Sequence, residues 1–219
     1  MKERPILFSG PMVRAILDGT KTQTRRIVKP QPSSKTERYV NGLERDDGAF
    51  WPASASDYTG GAIRCPYGVP GDRLWVRERW AAHDTLDDLS PQRIDEIDED
   101  RNVWYAVDGD SRWGSLLADP SWRGRWRPSI HMPRWASRID LDVTTVRVER
   151  LQAITEDDAR AEGVIGNYDE SYNLGRFTDR PFTHAFFVLW DAINGDRAPV
   201  ESNPWVWVVE FQRADGGAK

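Results

Sequence analysis

The segment Gly19-Thr20-Lys21-Thr22-Gln23-Thr24-Arg25-Arg26 gathers the residue types that could do chemistry. Lys21 and Thr24 stand three apart, so a helical or 3₁₀ turn would point both the same way. An amine beside a hydroxyl can act as base and nucleophile if burial lowers the lysine pKa enough to leave it partly neutral. Arg25 and Arg26 add donors suited to phosphate or carboxylate. The competing reading is a solvated basic turn after a helix, since basic residues suit helix C-termini.

Two carboxylates stand out beside this segment. Glu162 falls in the last turn of a short expected helix, where it faces the negative end of the helix dipole at a cost of ~0.3–1 kcal/mol. A residue that breaks a local rule is a candidate for function; a solvent-exposed glutamate that feels little of the dipole is the plain alternative. Glu78, in Trp75-Val76-Arg77-Glu78-Arg79-Trp80, shares parity with Val76 and Trp80 and so lies on an apolar strand face. A ligand contact and an arginine-paired structural carboxylate explain it equally well. His83, His131 and His184 lack metal-ligand spacing, so no metal site is expected. No GxGxxG, Walker loop, GxSxG or HExxH motif is present, which removes the common nucleotide, phosphoryl-transfer and serine-hydrolase readings. Trp113, Trp122, Trp126 and Trp135 alternate with arginines, either as a base-stacking groove or as an aromatic core with cations at its rim.

These residues need elements to position them. Ile6-Leu7-Phe8 predicts a strand. Pro11 predicts the first residue of a helix that Gly19 ends, with Met12, Val13, Ile16 and Leu17 at helical spacing. Thr20 to Arg26 is expected as an exposed turn. The pattern breaks up from Lys29 to Pro70, as in a surface insertion carrying a small hairpin. Pro70-Gly71-Asp72 is a turn signal before the strand Leu74-Trp75-Val76. The acidic run 84–100 predicts a solvated loop or helix face, and 103–107 a further strand. Residues 139–148 alternate cleanly, with a one-residue slip before Val146 that a β-bulge would produce. Thr155-Glu156-Asp157-Asp158 is a variant capping box opening a helix that ends at Gly163. A second helix runs from Pro181 to Ile193, and Trp205 to Phe211 is a strand buried on both faces. Strands scattered among few helices, without regular βαβ alternation, give an α+β fold with a barrel-like sheet.

Composition narrows the class. The chain of 219 residues is 39% hydrophobic and 11% aromatic with a net charge of −5, a folded balance rather than a disordered one. No apolar run approaches the ~20 residues of a membrane helix, no secretory leader follows Met1-Lys2-Glu3-Arg4-Pro5, and the lone Cys65 cannot form an intramolecular disulfide. A cytoplasmic setting without membrane contact is expected. The charge is segregated: residues 1–30 carry seven basic against two acidic side chains, 84–100 one against eight, and 111–138 six against one. Local basic surfaces can bind phosphate on an acidic protein.

In this order the features resemble the ASCH family of the PUA-like superfamily, in particular phage- and prophage-encoded members. The resemblance rests on Ile16-Leu17-Asp18-Gly19-Thr20-Lys21-Thr22-Gln23-Thr24-Arg25-Arg26, then Pro70-Gly71-Asp72 with Leu74-Trp75-Val76. It continues through the 139–148 strand, Ile154-Thr155-Glu156 to Ala161-Glu162-Gly163-Val164, the 181–194 helix and Trp207-Val208-Val209-Glu210-Phe211. It implies a single PUA-like domain over 1–219, a small β-barrel with flanking helices, with insertions at about 31–66 and 79–137. It implies a nucleoside or RNA ligand and no cofactor. Some family members are amidohydrolases acting on N4-acetylcytidine, and in these Lys21, Thr24 and Glu162 match the catalytic lysine, threonine and glutamate. Arg26 matches the basic residue ending the motif; Arg25, Arg26 and Glu78 are the candidate ligand contacts. The alternative is a non-catalytic RNA-binding module, or a ribonuclease on the same residues.

Overall fold

Trp205-Val206-Trp207-Val208-Val209 can be stable only if covered on both faces, and all five residues are buried. The structure, a computed structural model, describes residues 1–31, 49–50, 63–97, 102–108, 120–164 and 180–214. It is an α+β fold. The chain divides into one compact unit of Met1–Leu17, Arg73–Leu141 and Arg213–Lys219, and another of Asp18–Asp72 and Asp142–Gln212.

In the first unit, β1 (Glu3–Leu7) pairs in parallel with β5 (Arg73–Arg77), Ile6 opposite Val76. The Val76 N–H donates to the Ile139 carbonyl at 2.9 Å, just before β8 (Asp140–Arg150). Helix α1 (Gly10–Leu17) buries Val13, Ala15 and Ile16 and is followed by Gly19 at φ +75°, a conformation that suits glycine. β6 (Trp80–Ala81) pairs with β7 (Trp104–Tyr105), and α2 (Pro91–Ile97) supplies Ile94 to a core of Trp80, Ala82, Met132 and Ala136. The strand expected over 103–107 is thus cut to two residues and continues as a 3₁₀ turn, Ala106–Asp108.

In the second unit, β9 (Trp205–Arg213) pairs antiparallel with β2 (Gln23–Ile27), Arg25 opposite Val208 and Ile27 opposite Val206. Thr155 and Asp158 form the reciprocal capping box of α3 (Glu156–Ala161), which ends at Gly163 with φ +75°. Helix α4 (Pro181–Asn194) turns Phe186 and Trp190 onto Leu151, Ile154, Ala159, Val206 and Val208. Its N-terminus is capped from outside: Glu156 accepts from the Phe182 and Thr183 N–H groups and the Thr183 hydroxyl. Two residues each of β3 (Ala49–Phe50) and β4 (Ile63–Arg64) pair as the small hairpin expected in the first insertion; the rest of 31–66 lies largely outside the described residues. Gly71 at φ +88° completes the Pro70-Gly71-Asp72 turn.

Two expectations need correcting. Segment 20–26 is not an exposed turn: Lys21, Gln23, Thr24 and Arg25 are buried, and 23–27 is a strand. The apolar β9 needs a hydrogen-bonded neighbour along this edge, and β2 supplies it. The closed barrel is also not formed among the described residues. The strand order is β1-β5-β8 in the first unit and β8-β9-β2 in the second, so β1 and β2 stand at ends rather than pairing with each other. β8 runs unbroken over 11 residues, with Thr144 and Thr145 both exposed where the alternation slips.

Candidate functional site

Side chains alternate along an extended segment, and the contacts of Lys21, Gln23 and Arg25 all fall on the α3 side. Lys21 Nζ donates to Glu162 Oε2 at 2.9 Å, to the Glu162 carbonyl at 2.8 Å and to the Gln23 carbonyl at 2.9 Å. The Gln23 amide donates to Asp158 Oδ1 at 3.0 Å. Arg25 reaches Glu149 at 3.1 Å, Glu162 at 3.3 Å and Asp158 at 3.4 Å. Thr24 lies between them in sequence and therefore faces the opposite way from Lys21. A turn would have brought Lys21 and Thr24 together, whereas the strand separates them.

Arg147, on β8, completes the cluster through Asp158 at 3.2 Å and through Glu149 and Glu210. One face of this unit therefore grades from the apolar cluster at Ile27, Val206 and Val208 to a charge network at the other end. The wrong-way dipole position of Glu162 is resolved here, because its carboxylate sits between Lys21 and Arg25. Both cationic side chains are fully shielded from solvent. Burial pulls the Lys21 pKa below its ordinary value, against the opposing pull of Glu162. Burial also pushes Asp158 upward, but hydrogen bonds from Thr155 and Gln23 and the charge of Arg25 outweigh it, leaving a pKa of about 2.

Beside β2, Arg26 opens onto a cleft of about 420 Å³, a size suited to a small ligand. Its walls carry Arg26, Lys29, Arg64 and Arg197, with the rings of Tyr67 and Trp207, and no carboxylate. Arg26 lies over the Tyr67 ring at 5.9 Å. Lys29, Arg64 and Arg197 pair with no carboxylate among the described residues. Arg25 also lines the cleft, although its guanidinium is engaged by three acids.

Lys21, Arg25 and Glu162 are thus brought together, with Thr24 and Arg26 on the other face of the same strand. Glu78 belongs to the first unit and takes the arginine-paired form: Arg138 donates to both its oxygens, at 3.0 and 3.1 Å, and bridges to Asp108. Burial raises the Glu78 pKa, and Arg138 opposes the rise. Sequence reasoning missed Arg147, Glu149 and Glu210, although Arg147-x-Glu149 on a strand and a lone Glu210 in an apolar run were visible signals. It also missed Arg64, Tyr67 and Arg197, which only folding assembles. Among the described residues no group of three or more His, Cys, Asp or Glu could hold a metal ion, and no helix is long and apolar enough to cross a membrane. No family model, curated protein or solved structure matches this chain.

Proposed function

We propose that this chain is an ASCH-like protein that binds a nucleoside phosphate, free or within RNA, in the cleft beside β2. One observation carries the reading: five cationic side chains and three aromatic rings line a cleft without a carboxylate, on a chain of net charge −5. Guanidinium and ammonium groups match phosphate oxygens, and flat rings match a base. Titration calorimetry with cytidine 5′-monophosphate and cytidine tests it. The monophosphate binds and the double variant Lys29→Gln/Arg64→Gln weakens it at least ~10-fold, one charged contact contributing ~1.5–3 kcal/mol. Equal affinity for both ligands, or for variant and parent, overturns it.

The second reading is an amidohydrolase on N4-acylated cytidine. It is favoured by the 2.9 Å contact between Lys21 and Glu162, two of the three matched positions. In that chemistry the Thr24 oxygen bonds to the acyl carbon while its proton passes to neutral Lys21. The C–N bond breaks as Glu162 protonates the leaving amine, and water then releases the carboxylic acid. The opposed faces of Lys21 and Thr24 rank it second. Turnover of N4-acetylcytidine followed by ultraviolet absorbance, lost in a folded Thr24→Val variant, would promote it; no turnover by the parent protein removes it.

A further inference from the structure

Arg25, Arg138 and Arg147 each contact two or more carboxylates. A group in the first unit departs from that pattern. Arg77, Arg79 and Arg125 pair with no carboxylate among the described residues. Arg77 and Arg125 line a cleft of about 620 Å³ with Trp126, Arg127 and His131, and no acid forms its wall. Arg77 stacks on Trp75 at 4.7 Å and donates to the Ile130 carbonyl, which fixes its guanidinium plane. Arg125 is held at the backbone by the Asp87 carboxylate, and its side chain donates to the Asp87 carbonyl. Arg127 is structural, donating to the Leu86, Asp87 and Leu89 carbonyls.

The aromatic part is equally specific. The Trp126 ring has the guanidinium of Arg79 at 5.6 Å and that of Arg123 at 4.5 Å. Trp122 is 54% exposed, with its ring 5.8 Å from that of His83. An indole in the wall of an acid-free cleft, with the Arg79 guanidinium over it, offers a flat face that carboxylate ligands would not use. Stacked bases use both the ring and the guanidinium planes, and phosphates take the remaining N–H donors.

We propose that this cleft, with Arg79 over the Trp126 ring in its wall, is a second binding site that takes the phosphates and bases of a single-stranded polynucleotide. Its lining residues belong to the first unit, and none is shared with the cleft beside β2. The test is fluorescence anisotropy of labelled octauridylate and octathymidylate with the full chain. Phosphate contacts by Arg77, Arg79 and Arg125 give a log–log salt slope of about −2, or roughly 20-fold weaker binding between about 50 and 200 mM salt. The exposed-residue variant Arg79→Gln/Arg125→Gln flattens the slope by about 1.4 and lowers affinity at low salt, while cytidine 5′-monophosphate binding stays at the parent value. A Trp126→Ala variant weakens octamer binding by roughly 5-fold or more, from a stacking contribution of ~1–3 kcal/mol, without changing the slope. A preference for octauridylate makes the ligand RNA; equal binding makes it either polynucleotide. Octamer affinity and slope unchanged in the double arginine variant overturn the proposal, as does an octaglutamate peptide that competes equally. Failure of monophosphate binding instead overturns the reading of the cleft beside β2 and leaves this one standing.

Discussion

Glu162 neutralises two buried cations at once, so replacing it exposes how the charge network is held. Lys21 contacts the Glu162 carboxylate at 2.9 Å, and the same carboxylate has Arg25 at 3.3 Å. The two halves of the pair are therefore unequal. Glu162→Gln takes a carboxylate from a buried ammonium and removes an anion from Arg25 as well. Breaking a buried pair from one side costs ~3–5 kcal/mol. Lys21→Met leaves Glu162 still paired with Arg25 and replaces the stem of Lys21 with apolar volume, so its cost is closer to ~1–2 kcal/mol for the lost hydrogen bonds. In urea, with a slope of about 2 kcal/mol/M, the midpoint falls by roughly 1.5–2.5 M for Glu162→Gln and by ~1 M or less for Lys21→Met. Because the pair is buried, raising the salt to about 1 M does not reduce the difference. A Glu162→Gln shift below ~0.3 M, or a Lys21→Met shift as large as that of Glu162→Gln, would refute this reasoning.

Three further outcomes follow from named contacts. The folded pKa of Asp158, about 2 against an ordinary 3.8, means that its contribution is full above pH ~4 and is lost as the pH falls towards ~2. After allowance for partial exposure it amounts to ~1–2 kcal/mol, and acid unfolding of Asp158→Asn should show a correspondingly flatter profile between those pH values. Arg138→Met takes the guanidinium from Glu78 and Asp108 and lowers stability by ~3–5 kcal/mol; Arg138→Lys fails to rescue it in thermal unfolding, because an ammonium cannot serve both acids bidentately. Glu156→Ala removes the acceptor for the first turn of α4, whose own N-cap Arg180 makes no side-chain capping bond. It costs about 1 kcal/mol, read by chemical denaturation, and it opens the amides of Phe182 and Thr183 to hydrogen exchange before those of Trp190.

Local patterns carried much of the architecture. The capping box at Thr155, the stops at Gly19 and Gly163, the Pro181 start and the doubly buried β9 depend on a few neighbouring residues, so they were legible from composition and period alone. The site residues Lys21, Arg25 and Glu162 were also visible, by type and by a broken dipole rule. Their geometry was not. Seven polar or basic residues in a row look like a solvated turn until a strand as apolar as β9 demands a partner. Pairing then imposes a period of two, which puts Lys21 and Arg25 with Glu162 and turns Thr24 away. Charge balance was likewise hidden: the acids that neutralise 21–25 lie more than 100 residues away in sequence. The clefts are furthest from the sequence, since Arg26, Arg64 and Arg197 meet only when distant segments pack. Sequence by itself determined which elements form and which residue types are available. Tertiary structure decided which way each side chain faces and which charges are matched, because both depend on neighbours that are not adjacent in the chain.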